Sequence, residues 1–189
     1  MNGSTGLKGL IAALPLLLSA PAAASDGGVA LAMKQTVASA QSFGDPVAAR
    51  KWLSSMSPRV RHAIPNPFYR LSLLSTVHAE AKACGLDPEL LLAVIEIESG
   101  FDRYAVSATG ARGLMQVMPF WMKEIGHPRD DLFNPRINIR YGCRILKRYL
   151  DEERGDLPTA LARYNGTAGQ RRFPDKVLAA LTRNWSSAR

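Results

Sequence analysis

The sequence contains two cysteines, no internal repeat, no long run of like charge and no glutamine-rich tract. Two cysteines alone do not make a zinc site, and without repetition or bias the organisation must be read from local motifs. A comfortable membrane span is missing as well. The one long uncharged stretch, residues 9–25, is broken by Pro15 and Pro21 and is short of the ~20 apolar residues that cross a bilayer. What is present is ordinary for a globular chain, with 47% hydrophobic and 21% charged residues. A length of 189 residues is enough for one domain with its own core plus flanking segments.

The uncharged stretch follows a lone Lys8, is rich in Leu and Ala, and closes on Ala22-Ala23-Ala24. That order describes a secretory signal peptide cleaved near Ala24, with an uncleaved anchor as the competing reading. No Cys follows it to carry a lipid. The expected location is therefore periplasmic or secreted. Losing Lys8 with the leader leaves 23 basic against 16 acidic residues, a surplus drawn to anionic polymers such as cell wall or nucleic acid. Arg136, Arg140, Arg144 and Arg148 recur every four residues along one side of a helix, a pattern that reads as a solvated face. No aromatics are interleaved to stack bases, and export argues against a nucleic-acid partner.

An even cysteine count in an oxidising compartment points to one disulfide, Cys84 to Cys143. Leu73, Val77, Ala81 and Cys84 share one helical face, and so do Ile139, Cys143, Leu146 and Leu150, so both sulfurs are expected to face the core. Two buried thiols acting as small hydrophobes are the alternative.

Along the chain, residues 25–66 form a weakly patterned extension of unknown role, in which Asp45-Pro46 starts a short helix. A helical pattern runs from Phe68 to Cys84 and stops at Gly85. Asp87-Pro88-Glu89 is a second start, and residues 90–97 are apolar nearly all round, as in a helix buried within a domain. Residues 101–118 are rich in Gly, Ser, Ala and Thr and read as a loop or a few tiny strands. Further helices are expected from Pro119 to Ile125, from Asn134-Pro135 to Glu153, over residues 157–164, and from Asp175 to Trp185. The fold class is mainly α.

Glu96 and Glu98 end the apolar helix about 200° apart, so they cannot serve one cleft. Glu98 shares a face with Leu91, Val94 and Ile95, has no Lys or Arg three or four positions away, and sits at the negative end of the helix dipole. Both influences favour a protonated carboxyl near neutral pH, which a general acid for glycosidic cleavage requires. The bland alternative is a Glu that snorkels or pairs with a distant Arg.

The strings LAVIEIESGF, SATGARGLMQVMP, DDLFNPRINIRYGCRILKRYL and LPTALARYNGTAG, in that order, resemble the soluble lytic transglycosylase family over residues 71 to about 181. The resemblance implies a lysozyme-like α+β domain over residues 67–189, after a signal peptide at 1–24 and the extension at 25–66. It implies that Glu98 is the catalytic acid/base and that Ser107, Met115, Gln116, Tyr164 and Asn165 line a glycan-binding groove. Gln116 and Asn165 have amides for sugar hydroxyls and acetamido groups, Tyr164 offers a ring and a hydroxyl, and Gly113 permits close backbone approach. Ser99 reads as a structural hydrogen-bonder at the helix end. Arg163 departs from the Ala usual in the family before the Tyr-Asn pair, and its role stays open.

Ordinary glycosidases flank the bond with two carboxylates. Here Asp102 lies past the helix end and reads as a turn residue, and residues 103–118 contain no Asp or Glu. That fits the family's non-hydrolytic cleavage of the MurNAc-GlcNAc β-1,4 bond to 1,6-anhydro-MurNAc ends, with no metal or cofactor. A hydrolytic muramidase would share Glu98 but release reducing ends, and a non-catalytic wall-binding accessory should lack the acid. The expected partner is peptidoglycan, handled by a monomer. Such enzymes serve secretion, flagellar or pilus assemblies, and the sequence does not choose among them.

Overall fold

The structure, a computed structural model, describes residues 26–186, so the signal-peptide expectation lies outside the described residues. Eight α-helices follow one another: α1 Asp26–Ser39, α2 Pro46–Met56, α3 Pro67–Cys84, α4 Pro88–Ser99, α5 Trp121–Ile125, α6 Pro135–Glu152, α7 Leu157–Tyr164 and α8 Arg172–Ala180. A single π turn, Leu181–Trp185, continues α8. Strand is confined, among the described residues, to two isolated antiparallel bridges, Val106 with Arg112 and Arg112 with Val117. The architecture is mainly helical, as the sequence pattern predicts.

Local chemistry sets most helix starts. Asp45, Asn66, Asn134 and Asp156 each accept from backbone amides of the first turn, and each precedes a proline within the first two helical residues. The cap satisfies an orphan N–H, and proline gives up one that has no partner anyway. Asp87 stands at the same position before α4 but its side chain makes no capping bond. The helix holds there through burial: every residue from Leu90 to Ile95 is buried. Against this apolar rod pack α3, α8 and the π turn that continues α8.

The extension is more ordered than its sequence suggests. α1 lies against α3 and buries only Ala32 and Val37, too narrow a stripe to register as a period. α2 buries Ala49, Leu53 and Met56, and its Trp52 indole donates to Glu89 in the first turn of α4 at 3.0 Å. Arg59, just beyond α2, donates to the Asn184 carbonyl at 2.7 Å.

The arginines of α6 do more than face solvent. Arg136 and Arg140 both grip Glu80 of α3, at 3.0 and 3.1 Å, and the Glu80 side chain is only 7% exposed. Burial alone would push the Glu80 carboxyl up, but hydrogen bonds from Arg140 and Arg136 outweigh it and hold the group below the usual range. Beside this ion pair Cys84 joins Cys143, with Cα atoms 6.5 Å apart. The two sulfurs are not equally placed: Cys143 is buried on α6, while Cys84 at the end of α3 is half-buried. The last helix starts at Arg172, three residues before the expected Asp175, because Pro174 falls in its first turn, where a proline costs no hydrogen bond.

Candidate active site

Glu98 occupies the last turn of α4, which ends at Gly100 with φ 56° in the left-handed region. Ser99 fastens this end, its hydroxyl lying 3.1 Å from the Ile95 carbonyl and 2.7 Å from that of Leu114 in the following loop. The Ser99 hydroxyl therefore ties the helix terminus to the loop over it.

The loop is built around Asn138 of α6, which is 1% exposed. Its Oδ1 accepts from the Met115 amide at 2.8 Å, and its Nδ2 donates to the carbonyls of Arg112 and Leu132, each at 2.8 Å. Gly113 passes so close that a Cβ would stand 2.5 Å from Asn138 Nδ2 and 2.5 Å from the Leu132 oxygen, with φ +74° besides. No larger residue fits. Met115 turns its side chain inward, fully buried against Gly142.

These constraints arrange the expected site residues unequally. The Tyr164 hydroxyl at the end of α7 donates to the Met115 carbonyl at 2.6 Å, which fixes α7 to the loop. Asn165, the next residue, directs its amide to Glu98 Oε1 at 3.5 Å, a long hydrogen bond. Gln116 takes the unusual φ of 48°, and its amide donates to the carbonyls of Ala105 and Gly113 at 3.2 and 3.0 Å. Ser107 accepts from the Ala111 amide at 3.0 Å and pairs with Thr109, closing a turn in the loop. Glu98 and Asn165 share one cleft. Tyr164, Met115 and Gln116 form its hydrogen-bonded backing, with the Met115 side chain offering no surface of its own.

The cleft, about 340 Å³, is lined by Glu98, Asn165, Thr167, Gln170, Arg172 and Lys176, with Ile97 and Phe173 supplying apolar wall. Glu98 is the single acid lining it among the described residues. Burial pushes the Glu98 carboxyl up to about 7, opposed by the hydrogen bond from Asn165. Tyr164 is pushed well above its usual range by burial and by the nearby Glu98 charge, so it stays a hydrogen donor. A carboxyl that exchanges its proton near neutrality can act as acid in one step and base in the next.

Other acids are committed elsewhere. Glu96 accepts from Asn184 at 2.7 Å and from the Trp185 indole at 2.6 Å, on the opposite side of α4. Asp102 accepts from the Tyr104 amide at 2.8 Å in an Asx turn. Arg163, the departure noted in the sequence, points away from Glu98: it pairs with Glu152 and Glu153 at 2.7 and 2.6 Å and lies 4.6 Å from the Tyr149 ring centroid. The wall formed by Thr167, Gln170, Arg172 and Lys176 escaped sequence reading. Its one visible sign is the four-residue spacing of Arg172 and Lys176, easily read as a solvated helix face.

The Transglycosylase SLT domain family model matches residues 75–180. A transglycosylase of Enterobacteria phage PRD1 is 34% identical over 110 residues, covering 54% of this chain and 40% of the relative. A membrane-bound lytic murein transglycosylase C of Glaesserella parasuis is 37% identical over 128 residues, covering 58% of this chain and 35% of the relative. This chain thus spans well under half the length of these relatives. Among solved structures, an inactive mutant of the lytic transglycosylase Slt from Pseudomonas aeruginosa matches 76% of this chain and 30% of its own, at 23% identity and a TM-score of 0.47.

Proposed function

The chain belongs to the Transglycosylase SLT domain family, and from that membership we propose that it is a peptidoglycan lytic transglycosylase with Glu98 as its acid/base. One observation carries the reading: a single half-buried carboxyl, titrating near neutrality, stands in a cleft where no second acid lines the wall among the described residues.

With one carboxyl, the substrate must supply what a second would. Protonated Glu98 delivers its proton to the glycosidic oxygen between muramic acid and N-acetylglucosamine as the C1–O bond breaks. The N-acetyl oxygen of the muramic residue stabilises the positive charge growing at C1. The glutamate, now ionised, takes the proton from the C6 hydroxyl of the same sugar as that oxygen bonds to C1. Glu98 ends protonated, no water is consumed, and the product carries a 1,6-anhydro ring. Asn165 orients the carboxyl and offers the acetamido group a partner, while Tyr164, Gln116 and Ser107 hold the groove's shape and Met115 contributes through its backbone.

The proposed setting is the periplasm or the extracellular space. An oxidising compartment there would maintain the Cys84–Cys143 bridge. No helix among the described residues is long and apolar enough to cross a membrane.

Digestion of purified peptidoglycan followed by mass analysis tests the reading. Expected are muropeptides one water lighter than lysozyme products, with activity of the Glu98→Gln variant falling by at least the 10²–10⁴-fold that general acid–base loss is roughly worth. Reducing-end muropeptides as the main product would place the protein among hydrolases, and an active Glu98→Gln variant would remove the assignment.

A further inference from the structure

Arg172 and Lys176 are one helical turn apart on α8 and line the same cleft as Glu98. Both are exposed, and neither has an ion-pair or hydrogen-bond partner among the described residues. Their neighbours are differently employed. Arg171 is paired with Asp175 at 3.1 Å on the flank of the same helix. Lys176 also borders a shallower depression containing Glu96 and Asp175, yet Asp175 is held by Arg171, and Glu96 by Asn184 and Trp185. Several other basic residues are held by acids: Arg136 and Arg140 by Glu80, Arg148 by Glu152, Arg163 by Glu152 and Glu153. Arg172 and Lys176 stand together, without such partners, on one wall of the cleft.

A neutral sugar chain can accept hydrogen bonds from such cations but offers nothing to balance their charge. Glu98 is hydrogen-bonded to Asn165 rather than to either cation. Arg172 and Lys176 thus line the cleft beside the acid without being paired to it, leaving their charges for a substituent of the bound sugar. On the reading proposed above, the muramic residue carries such a substituent on O3: a lactyl group, bearing either a free carboxylate or a peptide with carboxylates of its own. We propose that Arg172 and Lys176 form a carboxylate-reading subsite for this O3 substituent. The arginine supplies a planar fork and the lysine a mobile point charge, so the pair accepts a carboxylate without demanding one fixed geometry.

Binding rather than turnover tests this, so that its outcome is separate from that of the proposed chemistry. Glu98→Gln protein, and the same protein also carrying Arg172→Gln and Lys176→Gln, are titrated with three soluble strand preparations: peptide-bearing, amidase-stripped with free lactyl carboxylates, and peptide-bearing with carboxylates converted to amides. Both substitutions are at exposed positions, and equal melting temperatures check the fold. Expected is a loss on the order of tenfold in affinity for the carboxylate-bearing strands when both cations are removed, shrinking as salt is raised. For the amidated strands the two proteins should bind alike. A larger loss on peptide-bearing than on stripped strands identifies the peptide as the source of the carboxylate, and the reverse identifies the lactyl group. Equal affinity of the two proteins for all three preparations, or the same loss on amidated strands, overturns the subsite. Failure of the anhydro-product assay would instead count against the proposed chemistry alone.

Discussion

The amide of Asn165 reaches the Glu98 carboxyl across 3.5 Å, joining the turn after α7 to the last turn of α4. Burial drives the carboxyl toward its neutral form, and this hydrogen bond is the influence that restrains it. The two residues are 67 positions apart in sequence, so the proton affinity of the acid is set jointly by two distant motifs.

The rate of peptidoglycan cleavage should therefore fall on the alkaline side, as Glu98 loses its proton through a value of about 7. In Asn165→Ala the restraint is gone, so the falling limb should move to higher pH while the maximal rate drops. A pH profile of kcat/KM for both proteins checks this. A limb that stays in place, or a wild-type profile flat well into the alkaline range, would point to another acid.

The same carboxyl makes stability depend on pH. Unfolded, it titrates near 4.5, and folded, near 7. Its favourable contribution is complete below the lower value and is lost as pH rises through the higher one, because the unfolded chain releases its proton first. The full span corresponds to an upper bound on the order of 3 kcal/mol. Glu98→Gln carries no such penalty. The melting temperature of the variant relative to wild type should rise by several degrees between pH 4 and pH 8. A difference that stays constant across that range would contradict the burial argument.

Cys84 and Cys143 are separated by 59 positions, a loop whose closure is worth about 2–4 kcal/mol as a typical disulfide. Protein purified from an oxidising compartment should give no free thiol by labelling under denaturing conditions, and reduction should lower its melting temperature. Two reactive thiols in the unreduced, unfolded chain would exclude the bridge.

Glu96 offers the contrast to Glu98. Glu96→Ala strands the buried Trp185 indole N–H and the Asn184 amide, at a cost of about 1–3 kcal/mol in chemical denaturation. The products of digestion should be unchanged in kind. A loss of activity without loss of stability would mean that Glu96 takes part in the chemistry.

Much of this arrangement is legible in the sequence because it rests on local rules. Asn134-Pro135 announces α6, the helical pattern from Phe68 to Gly85 marks α3, and the apolar run after Pro88 declares the buried α4. Glu98 is identifiable because the absence of nearby Lys or Arg is itself a local fact. What escapes is set by distant partners. α1 buries two small side chains and leaves no period. The stripe on α6 carries no mark that Glu80 waits 56 and 60 residues earlier for two of its arginines. The role of Arg163 stays open in the sequence until Glu152 and Glu153 are placed beside it. Met115 falls within a groove motif, yet only a three-dimensional neighbour, Gly142, determines that its side chain points inward.

The bonds from Asn184 and Trp185 to Glu96 reach back 88 and 89 positions to the helix that holds Glu98. A chain that emerges amino end first, from a ribosome or across a membrane, displays its acid long before it possesses the residues that brace it. That brace is therefore among the last contacts of the described residues to form, and a chain halted before residue 184 should leave the helix unlatched.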